Sequence, residues 1–151
     1  MLILKYRTTF NSLFELDKTC FTKVNPVAEG EMPKPYGVLA GQVAAIKEGA
    51  PYTVVPADGT NRPVGLFVNN AAGNPFENAP AIAANKIALA QKMASVEVDE
   101  YADVEFKEGD KLYSDANACL TNVKGSDDTV IGIVTKVPTT ADPFLGVELC
   151  I

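Results

Sequence analysis

Phe106-Lys107-Glu108-Gly109-Asp110-Lys111-Leu112-Tyr113-Ser114, followed after a polar span by Val130-Ile131-Gly132-Ile133-Val134-Thr135-Lys136-Val137, is the stretch whose reading decides the fold. Glycine takes positive φ at no steric cost and aspartate bonds its own backbone, so Glu108-Gly109-Asp110 marks a tight turn between two short runs. The stretch reads as strand, turn, strand. Asp115-Ala116-Asn117 and Gly125-Ser126-Asp127-Asp128 supply the next two turns. Val130 to Val137 then runs apolar on both faces except at Gly132, Thr135 and Lys136, the pattern of a strand covered on both sides. An antiparallel β-domain, closed or nearly closed, is the economical fold.

Working outward, Gly37 to Ile46 alternates small and apolar residues at period two and predicts a strand. Lys47 to Pro51 turns it, Tyr52 to Val55 returns, Asp58 to Asn61 turns again, and Val64 to Val68 makes a further strand. Asn69 to Pro80 reads as a long loop. Ala81 to Ala94 suits a helix by its alanines, yet Ile87 and Leu89 alternate with Ala88 and Ala90, and a strand is expected over 86–91. Val96 to Asp99 and Ala102 to Phe106 alternate acids with apolar residues, as half-solvated strands do. Leu145 to Ile151 places Leu145, Val147, Leu149 and Ile151 on one face, so the pattern runs to the final residue. About eight short strands spaced about 8–12 residues apart indicate an all-β fold, a small antiparallel β-barrel or sandwich.

Residues 1–36 differ from the rest. They hold five Lys or Arg against four Asp or Glu, a balance of +1, whereas residues 37–151 hold eight against 15, a balance of −7, so the acidity of the chain resides in the second part. Ser12-Leu13-Phe14-Glu15 fits a capping box for a turn or two of helix. The prolines between Asn25 and Pro35 then break any regular element. The chain therefore divides into an extended N-terminal arm with a Pro-rich connector, 1–36, and a β-barrel domain, 37–151. Phe10, Leu13, Phe14, Leu16 and Phe21 give the arm more apolar weight than a loose tail needs, and they are the candidate partner-binding residues. The alternative is that the arm packs back on its own barrel.

With 151 residues and 47% apolar content the chain buries a core without metals or disulfides. Its acidity argues against gripping nucleic-acid phosphates, and no apolar run approaches the roughly 20 residues that cross a bilayer. Met1-Leu2-Ile3-Leu4 is too short for a signal-peptide core and is followed by its basic residues, so a cytosolic site of synthesis is expected. Cys20, Cys119 and Cys150 lack metal or disulfide spacing and are expected as reduced thiols.

Histidine is absent, which removes Ser-His-Asp and Cys-His pairs and every His-bearing metal site. No phosphate-cradling glycine motif occurs. Glu97, Asp99, Glu100, Asp103 and Glu105 are expected on solvated strand faces rather than at a cation site. Ala90-Gln91-Lys92-Met93 is similar, with one position changed, to the Ala-Met-Lys-Met hairpin of biotinyl carrier domains, but the surrounding glycines do not match and Lys92 is expected to carry no modification. No catalytic residue, cofactor or metal site is expected.

The phrases Gly37-Val38-Leu39-Ala40-Gly41-Gln42-Val43, Pro63-Val64-Gly65-Leu66, Glu108 to Ser114 with Leu120-Thr121, Val130 to Val134 and Leu145 to Leu149 resemble those of small β-barrel head decoration, or cement, proteins of tailed bacteriophages. The resemblance covers residues 37–151. It implies a non-enzymatic virion protein, assembled in the host cytoplasm, that binds the outer surface of the phage head and bridges major capsid proteins as a homo-oligomer, with a trimer favoured. Tail-tube or baseplate components are the alternative within the same class.

Overall fold

The computed structural model describes residues 1–4, 14–17, 20, 38–70, 87–92 and 94–151. At the deciding turn Gly109 takes a φ of +89°, and its N–H donates to the Val134 carbonyl at 2.8 Å. The Asp110 carboxylate accepts the Lys107 N–H at 2.9 Å, closing the turn from the other side. The strand on its C-terminal side forms as expected. The one expected from Ala102 to Phe106 does not, because after Tyr101 the chain finds no ladder partner. Instead the Ala102 N–H donates to the Leu120 carbonyl and Val104 turns back on Ala102. Phe106 still points inward, edge-on to Tyr101 with ring centroids 5.7 Å apart.

Eleven strands are described: β1 Leu2–Leu4, β2 Glu15–Leu16, β3 Val43–Ile46, β4 Thr53–Pro56, β5 Pro63–Phe67, β6 Leu89–Ala90, β7 Ser95–Val98, β8 Lys111–Ser114, β9 Leu120–Thr121, β10 Gly132–Lys136 and β11 Leu145–Leu149. They make a six-stranded sheet in the order β1-β7-β11-β10-β8-β9 and a five-stranded sheet in the order β2-β4-β3-β5-β6. Every pairing is antiparallel except β2 with β4. The six-stranded sheet curls back on itself, for Leu120 at its far edge bridges Tyr101, three residues beyond β7. The fold is all-β, two sheets with one curled into a half-barrel, as the strand pattern predicts. Of the strand expected at 86–91, Leu89–Ala90 forms, as β6; residue 86 lies outside the described residues.

Alternation along the strands sorts two cores. Val43, Ala45, Leu66 and Ala90 of the five-stranded sheet meet Val96, Val98, Leu112, Leu120, Val134, Leu145 and Val147 of the six-stranded sheet in the main core. The intervening residues Ala44, Val54, Phe67 and Leu89 face the other way, into a second cluster with Leu16, Cys20, Val38 and Ile87. The doubly covered sheet is thus the five-stranded one. The expectation that Val130 to Val137 is covered on both sides is corrected: Ile131 and Val134 are buried, but Ile133 is half-buried and Thr135 exposed. Thr135 is the extra residue of a β-bulge between Val134 and Lys136, which is how a polar side chain enters an otherwise apolar run.

The second cluster also corrects the reading of the arm. Leu16 is 1% exposed in it and Phe14 packs half-buried against it. Glu15 and Asp17 donate to the carbonyls of Tyr52 and Val54 at 2.8 and 3.0 Å, and Lys47 Nζ meets the Asp17 carboxylate at 2.6 Å. The capping-box helix does not form at its described end, because Glu15–Leu16 is β2. Residues 2–4 pair with β7. Of the described pieces of the first 36 residues, Leu2–Leu4 pairs with β7, Glu15–Leu16 pairs with β4, and Leu16 and Cys20 cover the apolar face of the second cluster.

Candidate functional site

Groups that carry chemistry elsewhere are occupied here in holding turns. Asp58 Oδ1 accepts the Thr60 N–H and hydroxyl and the Asn61 N–H at 2.8–3.0 Å. Those bonds, led by that from the Thr60 backbone, hold its carboxyl below the ordinary value near 3.8. Asp115 Oδ1 accepts from Asn117 and Cys119 N–H, each at 2.8 Å. Asp110, bonded by Asn122 Nδ2 and the Lys107 N–H, is also lowered, with the Asn122 bond the larger cause. Asn122 Nδ2 lies 2.9 Å from the Glu105 carbonyl as well, so it pins the 105–110 segment to the end of β9.

The acidic run is only partly solvated. Asp99, Asp103 and Glu105 are exposed, but Glu97 is corrected from the solvated face to a half-buried ion pair with Lys136 at 3.0 Å. Lys136 also meets Asp142 at 2.6 Å. The geometry follows from register: Glu97, Gly146 and Lys136 lie opposite one another on β7, β11 and β10. Gly146 has no side chain, so the Lys136 stem crosses β11 in the space a Cβ needs, 2.6 Å from the Lys136 Cβ. Among the described residues no group of three His, Cys, Asp or Glu is placed to hold a metal.

Lys92 is exposed at the turn between β6 and β7. Cys119 and Cys150 are free thiols. Cys20 lies in the second cluster, and Cys150 is exposed. The Cys119 thiol is pushed up to about 11, by burial first and then by the neighbouring Asp115 and Glu100 charges. It is a poor nucleophile at neutral pH.

Of the five candidate partner-binding residues, Leu16 and Phe14 lie together in the chain's own second cluster. Phe10, Leu13 and Phe21 lie outside the described residues. A different surface is open instead. A groove of about 430 Å³ is lined by Ile46, Arg62, Pro63, Val64, Gln91, Thr129 and Ile151. It exists because β6 is only two residues long against five for β5. Leu66 and Phe67 pair with β6, and among the described residues no strand pairs with Pro63 and Val64 on that side. Gln91 closes one wall, its Nε2 donating to the Val64 carbonyl at 2.7 Å.

Sequence reasoning missed this groove because its lining comes from five separate segments. The one available signal was Arg62, a lone cation between a turn and a strand-opening proline. No protein-family model matches the chain, and no curated protein matches it either. Function rests on the molecule itself. No helix among the described residues is long and apolar enough to cross a membrane.

Proposed function

We propose that the protein is a non-enzymatic virion structural protein, a decoration or cement protein that binds the outside of a tailed-phage head and stabilises it by bridging major capsid proteins. One observation carries the proposal. Four of the five phrases that resemble phage decoration proteins contain strands of one two-sheet fold, Pro63–Phe67, Lys111–Ser114 with Leu120–Thr121, Gly132–Lys136 and Leu145–Leu149, while Gly37 to Val43 reaches a strand only at Val43. The acidic residues that look reactive in sequence are bound up in turns and in a cross-strand ion pair, as befits a scaffold. The protein acts as a homo-oligomer, a trimer, on the capsid exterior, without nucleic acid, membrane or cofactor.

The experiment is co-sedimentation of the purified protein with heads of the encoding phage stripped of it by mild denaturant. Saturable binding that raises the temperature at which heads release their genome is the expected result. No sedimentation with heads, with binding to isolated tails instead, contradicts it.

A further inference from the structure

We propose that the hairpin tip between β3 and β4 is the protein's contact with its capsid partner, with the Tyr52 ring seated in an apolar pocket of that partner. This deepens the function proposed above and rests on it for the partner's identity. Two observations on one residue carry it. Tyr52 is 70% exposed, the most exposed large hydrophobic side chain among the described residues. It is also held at a φ of +55°, a left-handed backbone that a bulky side chain adopts only at a cost.

The chain makes two tight turns in succession here, and both demand the same geometry. The Ala50 N–H donates to the Lys47 carbonyl and the Thr53 N–H to the Ala50 carbonyl, each at 3.3 Å. The third residue of each turn has positive φ: Gly49 at +76° in the first, Tyr52 at +55° in the second. Glycine or asparagine suits that position, and the first turn has its glycine. In the second turn the ring gives nothing back to the fold. It belongs to neither core, and among the described residues its hydroxyl has no hydrogen-bond partner. A side chain that strains the fold without stabilising it marks a contact surface.

The tip is also held in place. The Tyr52 carbonyl accepts the Glu15 N–H at 2.8 Å, the Lys47 N–H donates to the Thr53 carbonyl at 2.9 Å, and the Lys47–Asp17 ion pair ties the hairpin to the residue after β2. A ring on a fixed backbone has few torsions left to order, so it docks at low entropic cost. The surroundings state the partner's chemistry. Pro51 and Tyr52 are exposed and uncharged, and Glu48 in the same turn is exposed and in no described ion pair. The matching surface is a pocket with aliphatic walls for the ring, an acceptor for its hydroxyl, and a lysine or arginine at the rim for Glu48.

The test compares Tyr52→Asn, which removes the ring and suits the turn, with Tyr52→Phe, which keeps the ring, on heads stripped of the protein. For Tyr52→Asn a melting temperature at or above that of the wild type, with binding to heads weakened about tenfold or more, is expected. Tyr52→Phe should lose less. Hydroxyl-radical footprinting of the wild type should oxidise Tyr52 in the free protein and find it protected on heads. A lower melting temperature for Tyr52→Asn places the ring in the protein's own fold and overturns the proposal. Tyr52→Asn that binds as the wild type does, or a ring oxidised equally on heads, overturns the contact and leaves the virion role standing. Equal losses for the two variants put the contact on the hydroxyl alone and overturn the apolar pocket. Wild type that does not bind heads removes the virion role, and the contact falls with it.

Discussion

Single residues carry several of the molecule's constraints in ways that can be measured. Gly146 is the clearest, because an added methyl meets the Lys136 Cβ at 2.6 Å and Thr135 Oγ1 at 3.0 Å. Gly146→Ala should cost about 1–3 kcal/mol in urea unfolding through that overlap. The ion pair it protects has a defined pH signature. Lys136 is raised, chiefly by its hydrogen bond to Asp142, so its contribution is complete at neutral pH and disappears only as pH climbs through the raised value. Cys119 adds to the alkaline loss, since its thiol moves from 9.0 unfolded to about 11 folded and stability falls across that window. Asp58 and Asp110 are lowered, so the stability they add is present above the ordinary carboxylate value near 3.8 and falls away below it. A urea midpoint series from pH 2.5 to 11 should therefore show a plateau with both limbs, and Lys136→Met should flatten the alkaline one. Alkylation gives a second check on Cys119: at pH 8 only about one molecule in a thousand carries the thiolate, so iodoacetamide should label exposed Cys150 well before Cys119.

At the scale of elements, alternation located several strands but not their bounds: Gly37 to Ile46 alternates throughout, yet of its described residues only Val43–Ile46 are strand, because residues 40–42 turn about Gly41 at a φ of +99°. Leu145 to Leu149 declares its inward face by period two alone, and the turns at Gly109, Asp58 and Asp115 declare themselves by residue chemistry. Ala102 to Phe106 alternates just as cleanly yet makes no strand, because a ladder needs a partner and the chain past Tyr101 has only the single bridge to Leu120. The groove was illegible for a related reason, since it is a consequence of how soon β6 stops. The first 36 residues differ in charge and proline content, which suggested an arm held off the barrel, but composition does not tell which apolar face needs covering. Ala44, Val54, Phe67 and Leu89 present such a face, and Phe14 and Leu16 cover it. Leu16→Ala should then cost about 2–4 kcal/mol, as expected for a buried leucine. Removing residues 1–24 should lower the melting temperature and promote aggregation. A truncated protein that melts like the full chain, while losing its binding to heads, would instead return the arm to a docking role.

For the whole molecule, two sheets share one core, the five-stranded sheet is covered again on its far side, and the outer face of the six-stranded sheet, with Lys111, Thr135 and Glu148, meets solvent. Such a body suits the structural role proposed above. The central claim is that the chain is a component of the phage head exterior. Quantitative mass spectrometry of purified virions, with the copy number scaled to the major capsid protein, tests it most directly. Copies in the hundreds per particle, retained in tailless heads, are what the account predicts. A few tens that follow isolated tails, or no copies in the virion at all, would contradict it.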